Sequence, residues 1–228
     1  MRATLAAIVA GEPDAVTMHR GIANSAWESH AGKVPMILQS TIARPDDTVC
    51  EQIAEPEDAV RLGADAFAVA AFVRGSTEGR YLKTVSECVK AAARFDMPVI
   101  THIYPRNFRE GVAISYSPED IAWAVRCAWE CGTDVIKVPF CNDPAAYAQI
   151  VSETAVPIVA AGGPLSRTLE EALGMLQAVV RSGARGATVG RNVWNHDRVT
   201  AVVRAIKSVI HDGEDPRRAM SAAGLSQI

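Results

Sequence analysis

The sequence predicts a (β/α)8 barrel, the TIM-barrel architecture, lacking its first strand. Three observations carry this expectation. Short apolar runs alternate with helical patterns in units of about thirty residues, as in parallel βαβ construction. Polar residues close nearly every run: His19-Arg20, Gln39-Ser40-Thr41, Arg74, His102 and Tyr104, Lys137, Gly162-Gly163 and Gly190-Arg191. A closed barrel gathers such strand ends at one mouth, whereas an open doubly wound sheet spreads them along an edge. The third observation is the count. Seven strands can be read, a barrel has eight, and the chain opens in a helix, so the absent strand is the first. Its absence would leave two unpaired strand edges.

In chain order, residues 3–10 read as a helix and Ala15–His19 as a strand. Pro35–Thr41 is the next strand, followed by a polar stretch over Ala43–Glu55. Glu57–Leu62 is a short helix stopped at Gly63, and Ala66–Val73 (AFAVAAFV) is a strand. Thr77–Phe95 is a long helix, Pro98–Tyr104 a strand, and a polar loop extends to Ser115. Ser117 as N-cap, Pro118 at the first helical position and Glu119-Asp120 in the first turn open a helix that runs to Gly132. Asp143-Pro144 opens another in the same way. Pro157–Ala161 and Gly186–Val189 are strands that end in glycine turns. Thr168 with Glu171 forms a capping-box pattern for a helix to Ser182. Val199–His211 is a helix, and a short one closes the chain. With no linker or low-complexity segment, residues 1–228 form one domain.

Composition narrows the function. The 228 residues are 49% hydrophobic and 21% charged, with a formal net charge of -3. Nothing suggests nucleic-acid or membrane attraction, and no apolar run approaches the roughly 20 residues of a membrane span. The N-terminus does not read as a signal peptide. Five cysteines, at 50, 88, 127, 131 and 141, are odd in number and scattered, which points to a reducing cytoplasm rather than a disulfide framework.

The chemistry centres on DVIKVPF, Asp134–Phe140. It is an apolar strand with a lysine in its middle. Burial disfavours the ammonium form and makes Lys137 a usable nucleophile toward a carbonyl. The competing reading is a lysine whose stem packs while its head meets a carboxylate at the strand end. Strand alternation places His102 and Tyr104 on one face of PVITHIY, and Lys137 on one face with Val135 and Pro139. An amine, a phenol and an imidazole at one mouth suit Schiff-base chemistry, although Tyr104 and His102 taken singly read as ordinary strand-end residues. Gly162, Gly163, Gly190 and Arg191 follow the last two strands, where barrels place phosphate sites; otherwise they are plain strand-to-helix turns.

DAVTMHRG (14–21), EDAVRLGADAFAV (57–69), MPVITHIYPRN (97–107), GTDVIKVPF (132–140), PIVAAGGP (157–164) and GARGATVGRNVW (183–194) together resemble the class I aldolases of the archaeal-type fructose-bisphosphate aldolase and deoxyribose-phosphate aldolase superfamily. The similarity is greatest to the aminodideoxyheptulosonate-synthase-like aldolases and the autoinducer-2 thiolase. The resemblance implies a (β/α)8 barrel, Lys137 as the Schiff-base lysine and Tyr104 as general acid/base. It also implies Gly162, Gly163, Gly190 and Arg191 around a substrate phosphate, no cofactor or metal, and a homo-oligomer. The expected substrate is a small phosphorylated ketose or keto-sugar.

Two departures from that pattern stand out. The aldolases' first strand ends in Asp-His-Gly, and its aspartate is not in this chain; Asp14, Glu12 and Asp134 lie at the wrong strand ends to replace it. The tryptophan common two residues before the tyrosine is here His102. Either the true start lies upstream, or the chain is a shortened relative in which His102 or His19 takes on acid/base work. The alternative function is a non-catalytic sugar-phosphate-binding barrel that has lost its first strand. A zinc aldolase using His19 and His102 is weaker, because the histidines show no ligand spacing.

Overall fold

The computed structural model describes residues 1–109 and 111–225. The strands are β1 (Val16–His19), β2 (Met36–Gln39), β3 (Thr41–Ala43), β4 (Cys50–Gln52), β5 (Ala66–Val73), β6 (Val99–Asn107), β7 (Ala113–Ile114), β8 (Val135–Pro139), β9 (Ile158–Ala161) and β10 (Gly186–Thr188). The helices are α1 (Arg2–Val9), α2 (Arg20–Ala26), α3 (Pro56–Leu62), α4 (Glu78–Ala92), α5 (Pro118–Glu130), α6 (Pro144–Ser152), α7 (Leu169–Arg181), α8 (Arg191–Trp194), α9 (Val199–His211) and α10 (Pro216–Ala222).

Seven parallel strands pair in the order β1-β2-β5-β6-β8-β9-β10. They form a sheet curled into a partial TIM barrel with helices outside. Among the described residues, β1 and β10 each pair on one side only. The outer layer crosses that break. Leu5 and Val9 of α1 share a core with Met18 and Met36 of β1 and β2, while Thr200 of α9 donates to the Ala7 carbonyl at 2.7 Å.

The outward strand faces carry the main core. Phe67, Val69 and Ala71 of β5, Ile103 of β6 and Ile136 and Val138 of β8 are fully buried against the helices. Side chains of this size contribute about 1.5–3 kcal/mol each on burial. Because strand residues alternate, this apolar set on one face turns His102, Tyr104 and Lys137 to the inside of the curl.

Local signals explain the helix starts. Ser117 accepts from the Asp120 amide and Asp143 from the Ala145 and Ala146 amides. The capping box expected at Thr168 is only half made. Thr168 caps the Glu171 amide, but the Glu171 carboxylate turns to the Arg167 amide instead. A complete box forms at Glu55 and Asp58, opening α3.

The polar segments differ from expectation. Ala43–Glu55 contains β4, which pairs antiparallel with β3 as a hairpin beyond β2. β6 continues past Tyr104 to Asn107 and pairs with β7 inside the expected loop; residue 110 of that loop lies outside the described residues. Arg106, which read as loop, is 1% exposed. It donates to Asp47 at 2.9 Å, to the Arg74 carbonyl at 2.7 Å, to Thr77 at 2.9 Å and to the Pro45 carbonyl at 3.0 Å. The guanidinium therefore fastens the loop between β3 and β4 to the ends of β5 and β6.

Candidate active site

β8 presents Lys137 inward, between Ile136 and Val138 that face the helices. No carboxylate lies within 4.0 Å of its amine and no hydrogen bond holds it, among the described residues. Burial alone lowers the ammonium to about 8. The competing picture of a lysine neutralised by a strand-end carboxylate therefore does not describe it.

His102 on β6 is in register with Lys137. It is buried, and burial first, with the Lys137 charge second, keeps the imidazole well below its ordinary value. A neutral ring beside the amine adds no repulsion to the ammonium. Two residues on, Tyr104 lies on the same face, its ring tilted against Phe72 at 5.7 Å between centroids. Burial first and Tyr116 second push its phenol up to about 12, with Arg191 opposing. Tyr104 is thus a proton donor at neutral pH.

Lys137, Tyr104, Gly162, Gly163, Gly190 and Arg191 line one cavity of about 590 Å³. His102 is behind its wall rather than on it. Tyr116, Phe140, Asn142, Ser166, Thr188 and Trp194 complete the polar and aromatic lining, and no aspartate or glutamate is part of it among the described residues. With two cationic side chains and no anionic one, the cavity suits an anionic ligand.

The glycines do different jobs. The Gly162 N–H is spent on the Thr188 carbonyl at 2.9 Å, so it is not the anion donor that a glycine pair at this strand end suggests. A Cβ there would come within 2.9 Å of Thr188 O and of Val189 Cα; Gly162 is what lets β9 and β10 approach. Gly163 takes φ +70°, a left-handed turn that favours glycine. The N–H groups of Gly163, Gly190 and Arg191 donate to no protein acceptor among the described residues. Arg191 donates to the Gly163 carbonyl at 3.1 Å.

Other polar strand ends are committed elsewhere. Arg74 turns outward to Asp120 at 2.8 Å. The His19 ring hydrogen-bonds the Gln39 carbonyl at 3.2 Å, and β2 and β5 separate its strand from that of His102. No group of three His, Cys, Asp or Glu gathers at ligand distance among the described residues. Asp134 accepts from the Val99 amide and Asp14 pairs with His211, both at the strand ends remote from the cavity.

An inward lysine with a lowered ammonium and no counter-ion among the described residues, on a parallel (β/α) scaffold, is the arrangement that imine chemistry requires. The DeoC/LacD family aldolase profile matches residues 1–196. The chain belongs to the DeoC/LacD aldolase family, the class I Schiff-base aldolases. It is 31% identical over 205 residues to the class 1 fructose-bisphosphate aldolase of Thermoproteus tenax, covering 88% of this chain and 76% of that one. It is 33% identical over 227 residues to the 2-amino-3,7-dideoxy-D-threo-hept-6-ulosonate synthase of Halobacterium salinarum, covering 99% and 84%. The structure superposes on an archaeal fructose 1,6-bisphosphate aldolase with a TM-score of 0.82 at 29% identity, over 92% of this chain and 83% of that one. A second archaeal structure, with its catalytic lysine bound to the carbinolamine intermediate of the substrate, gives 0.81 at 28% identity over the same shares. No helix among the described residues of this aldolase-family chain is long and apolar enough to cross a membrane.

Proposed function

We propose that this protein is a class I aldolase acting on a small phosphorylated ketose or keto-sugar, with Lys137 as its Schiff-base lysine. Neutral Lys137 attacks the ketone, and loss of water gives an iminium that withdraws electrons from the adjacent C–C bond. Tyr104 holds the proton exchanged at the hydroxyl where that bond breaks or forms. His102, neutral and buried, keeps the amine's surroundings uncharged. The free N–H groups of Gly163, Gly190 and Arg191, with the Arg191 guanidinium, take the phosphate. The observation that carries the reading is the company Lys137 keeps: an amine lowered to about 8 shares one cavity with a protonated phenol and the two glycine turns. The same proposal holds the chain to be one domain, assembled as a homo-oligomer in the cytoplasm. No comparison supports a binding-only barrel.

The test is borohydride reduction in the presence of dihydroxyacetone phosphate. A stable adduct mapped to Lys137 by peptide mass is the expected result. An unmodified Lys137 at saturating ketone would overturn the proposal.

A further inference from the structure

We propose that Asn192 is the positioning residue of the phosphate end of the cavity, a role that rests on the phosphorylated-substrate reading above. Its side chain is 3% exposed and does not line the cavity. All three of its amide hydrogen bonds go to the turn after β9. Nδ2 donates to the Gly162 carbonyl at 3.1 Å and to the Pro164 carbonyl at 3.0 Å, and Oδ1 accepts from the Ser166 amide at 2.9 Å. Arg191, the preceding residue, takes the Gly163 carbonyl. Three consecutive carbonyls are thus drawn to the first turn of α8.

The consequence follows from peptide geometry. In a trans peptide the N–H of one residue points opposite to the C=O of the residue before it, and the described chain contains no cis bond. Holding the Gly162 carbonyl on Asn192 therefore directs the Gly163 N–H away from Asn192. Gly163 has φ +70° and a Cβ there would meet no neighbouring atom, and among the described residues the Gly162 carbonyl accepts from no donor but Asn192, so Asn192 is the direct hydrogen bond on that peptide. Asn192 also sets the spacing between the turn after β9 and the turn of Gly190 and Arg191, the two halves of the anion cradle. A shorter side chain leaves both turns present but their N–H groups unaligned.

The experiment compares borohydride trapping with dihydroxyacetone phosphate and with unphosphorylated dihydroxyacetone in the wild type, Asn192→Ala, Asn192→Asp and Asn192→Ser. Half-saturation for the phosphorylated ketone should rise about tenfold or more in Asn192→Ala, since small misplacements of positioning groups cost this much. Trapping with dihydroxyacetone should stay at the wild-type level. Asn192→Asp keeps the acceptor for Ser166 but sets a carboxylate against two carbonyls, and should lose at least as much. Asn192→Ser, able to keep one hydrogen bond, should fall between. Inorganic phosphate should compete with trapping by the phosphorylated ketone in the wild type and lose that effect in Asn192→Ala.

Equal losses for both ketones, or none for either, would overturn the positioning role. So would an unfolded Asn192→Ala accompanied by an Asn192→Ser that folds and either keeps the full wild-type preference for the phosphorylated ketone or loses trapping of both ketones by the same factor. A wild type that traps both ketones equally well would remove the phosphate reading itself and the proposal with it. A wild type that discriminates while every variant discriminates equally would remove the Asn192 role alone.

Discussion

His102 and Lys137 sit side by side in register on the paired strands β6 and β8, one a buried neutral imidazole, the other an amine with no counter-ion among the described residues. Burial favours the uncharged form of both groups, so this pair has no ion-pair energy to lose. Its cost appears in stability and its use in reactivity.

Reactivity should follow the Lys137 titration. Only the free amine attacks a carbonyl, and its ammonium is lowered to about 8. The initial rate of imine trapping should rise with pH, reach half its plateau near about 8, and be absent in Lys137→Met. A rate that keeps climbing to the ordinary lysine value of 10.5 would show the amine to be solvated.

The same shift predicts that Lys137→Met stabilises the fold. The unfolded lysine binds its proton more tightly than the folded one, so the folded state is penalised at neutral pH and relieved as pH rises from about 8 to 10.5. The shift sets an upper bound of about 3 kcal/mol, reduced by water that reaches the half-buried amine. Melting at pH 7 should show a gain of several degrees. The gain should shrink toward zero above 10.5.

Tyr104→Phe should separate imine formation from bond cleavage. Trapping of Lys137 should continue, while turnover falls about 10²–10⁴-fold, the usual contribution of a general acid or base. A phenol raised to about 12 also predicts no loss of activity from tyrosine ionisation below pH 10.

Gly162→Ala and Gly163→Ala should both destabilise, for different reasons. At Gly162 the new methyl would lie within 2.9 Å of backbone atoms of Thr188 and Val189, so two strands must separate, at a cost of about 1–3 kcal/mol. At Gly163 there is room, and the left-handed φ alone costs about 1–2 kcal/mol. Chemical denaturation should rank Gly162→Ala as the less stable.

Asp47→Ala should unfasten the loop of the β3–β4 hairpin. It leaves the wholly buried side chain of Arg106 without its counter-ion, which costs about 3–5 kcal/mol. Burial pushes the Asp47 carboxyl up, but hydrogen bonds from Thr77, Tyr81 and Arg106 outweigh it and hold the group below its ordinary 3.8. The wild type should therefore keep this stabilisation above pH 3.8 and lose it as pH falls further. Asp47→Ala should show a flatter acid limb.

Much of the scaffold was legible because its causes are local. Ser117 and Asp143 cap the helices they precede, Gly63 ends α3 in a left-handed residue, and the run Ala66–Val73 matches β5 residue for residue. The hairpin of β3 and β4 was not legible, since strands of three residues are too short to carry a periodicity. Helices α2 and α8 were missed for a similar reason: α2 opens on Arg20-Gly21, and α8 is a single turn.

The sequence by itself determined the parallel (β/α) scaffold, the lysine strand and the grouping of Tyr104, Lys137 and Arg191 at one set of strand ends, because alternation and capping act over a few residues. Only the tertiary structure decided which groups are committed and which are free. Gly162 loses its N–H to a carbonyl 26 residues away, Arg106 finds Asp47 across 59 positions, and Asn192 reaches the carbonyl 30 residues before it. Hydrogen-bond partners that distant in the chain are set by the closing of the sheet, and no local pattern records them.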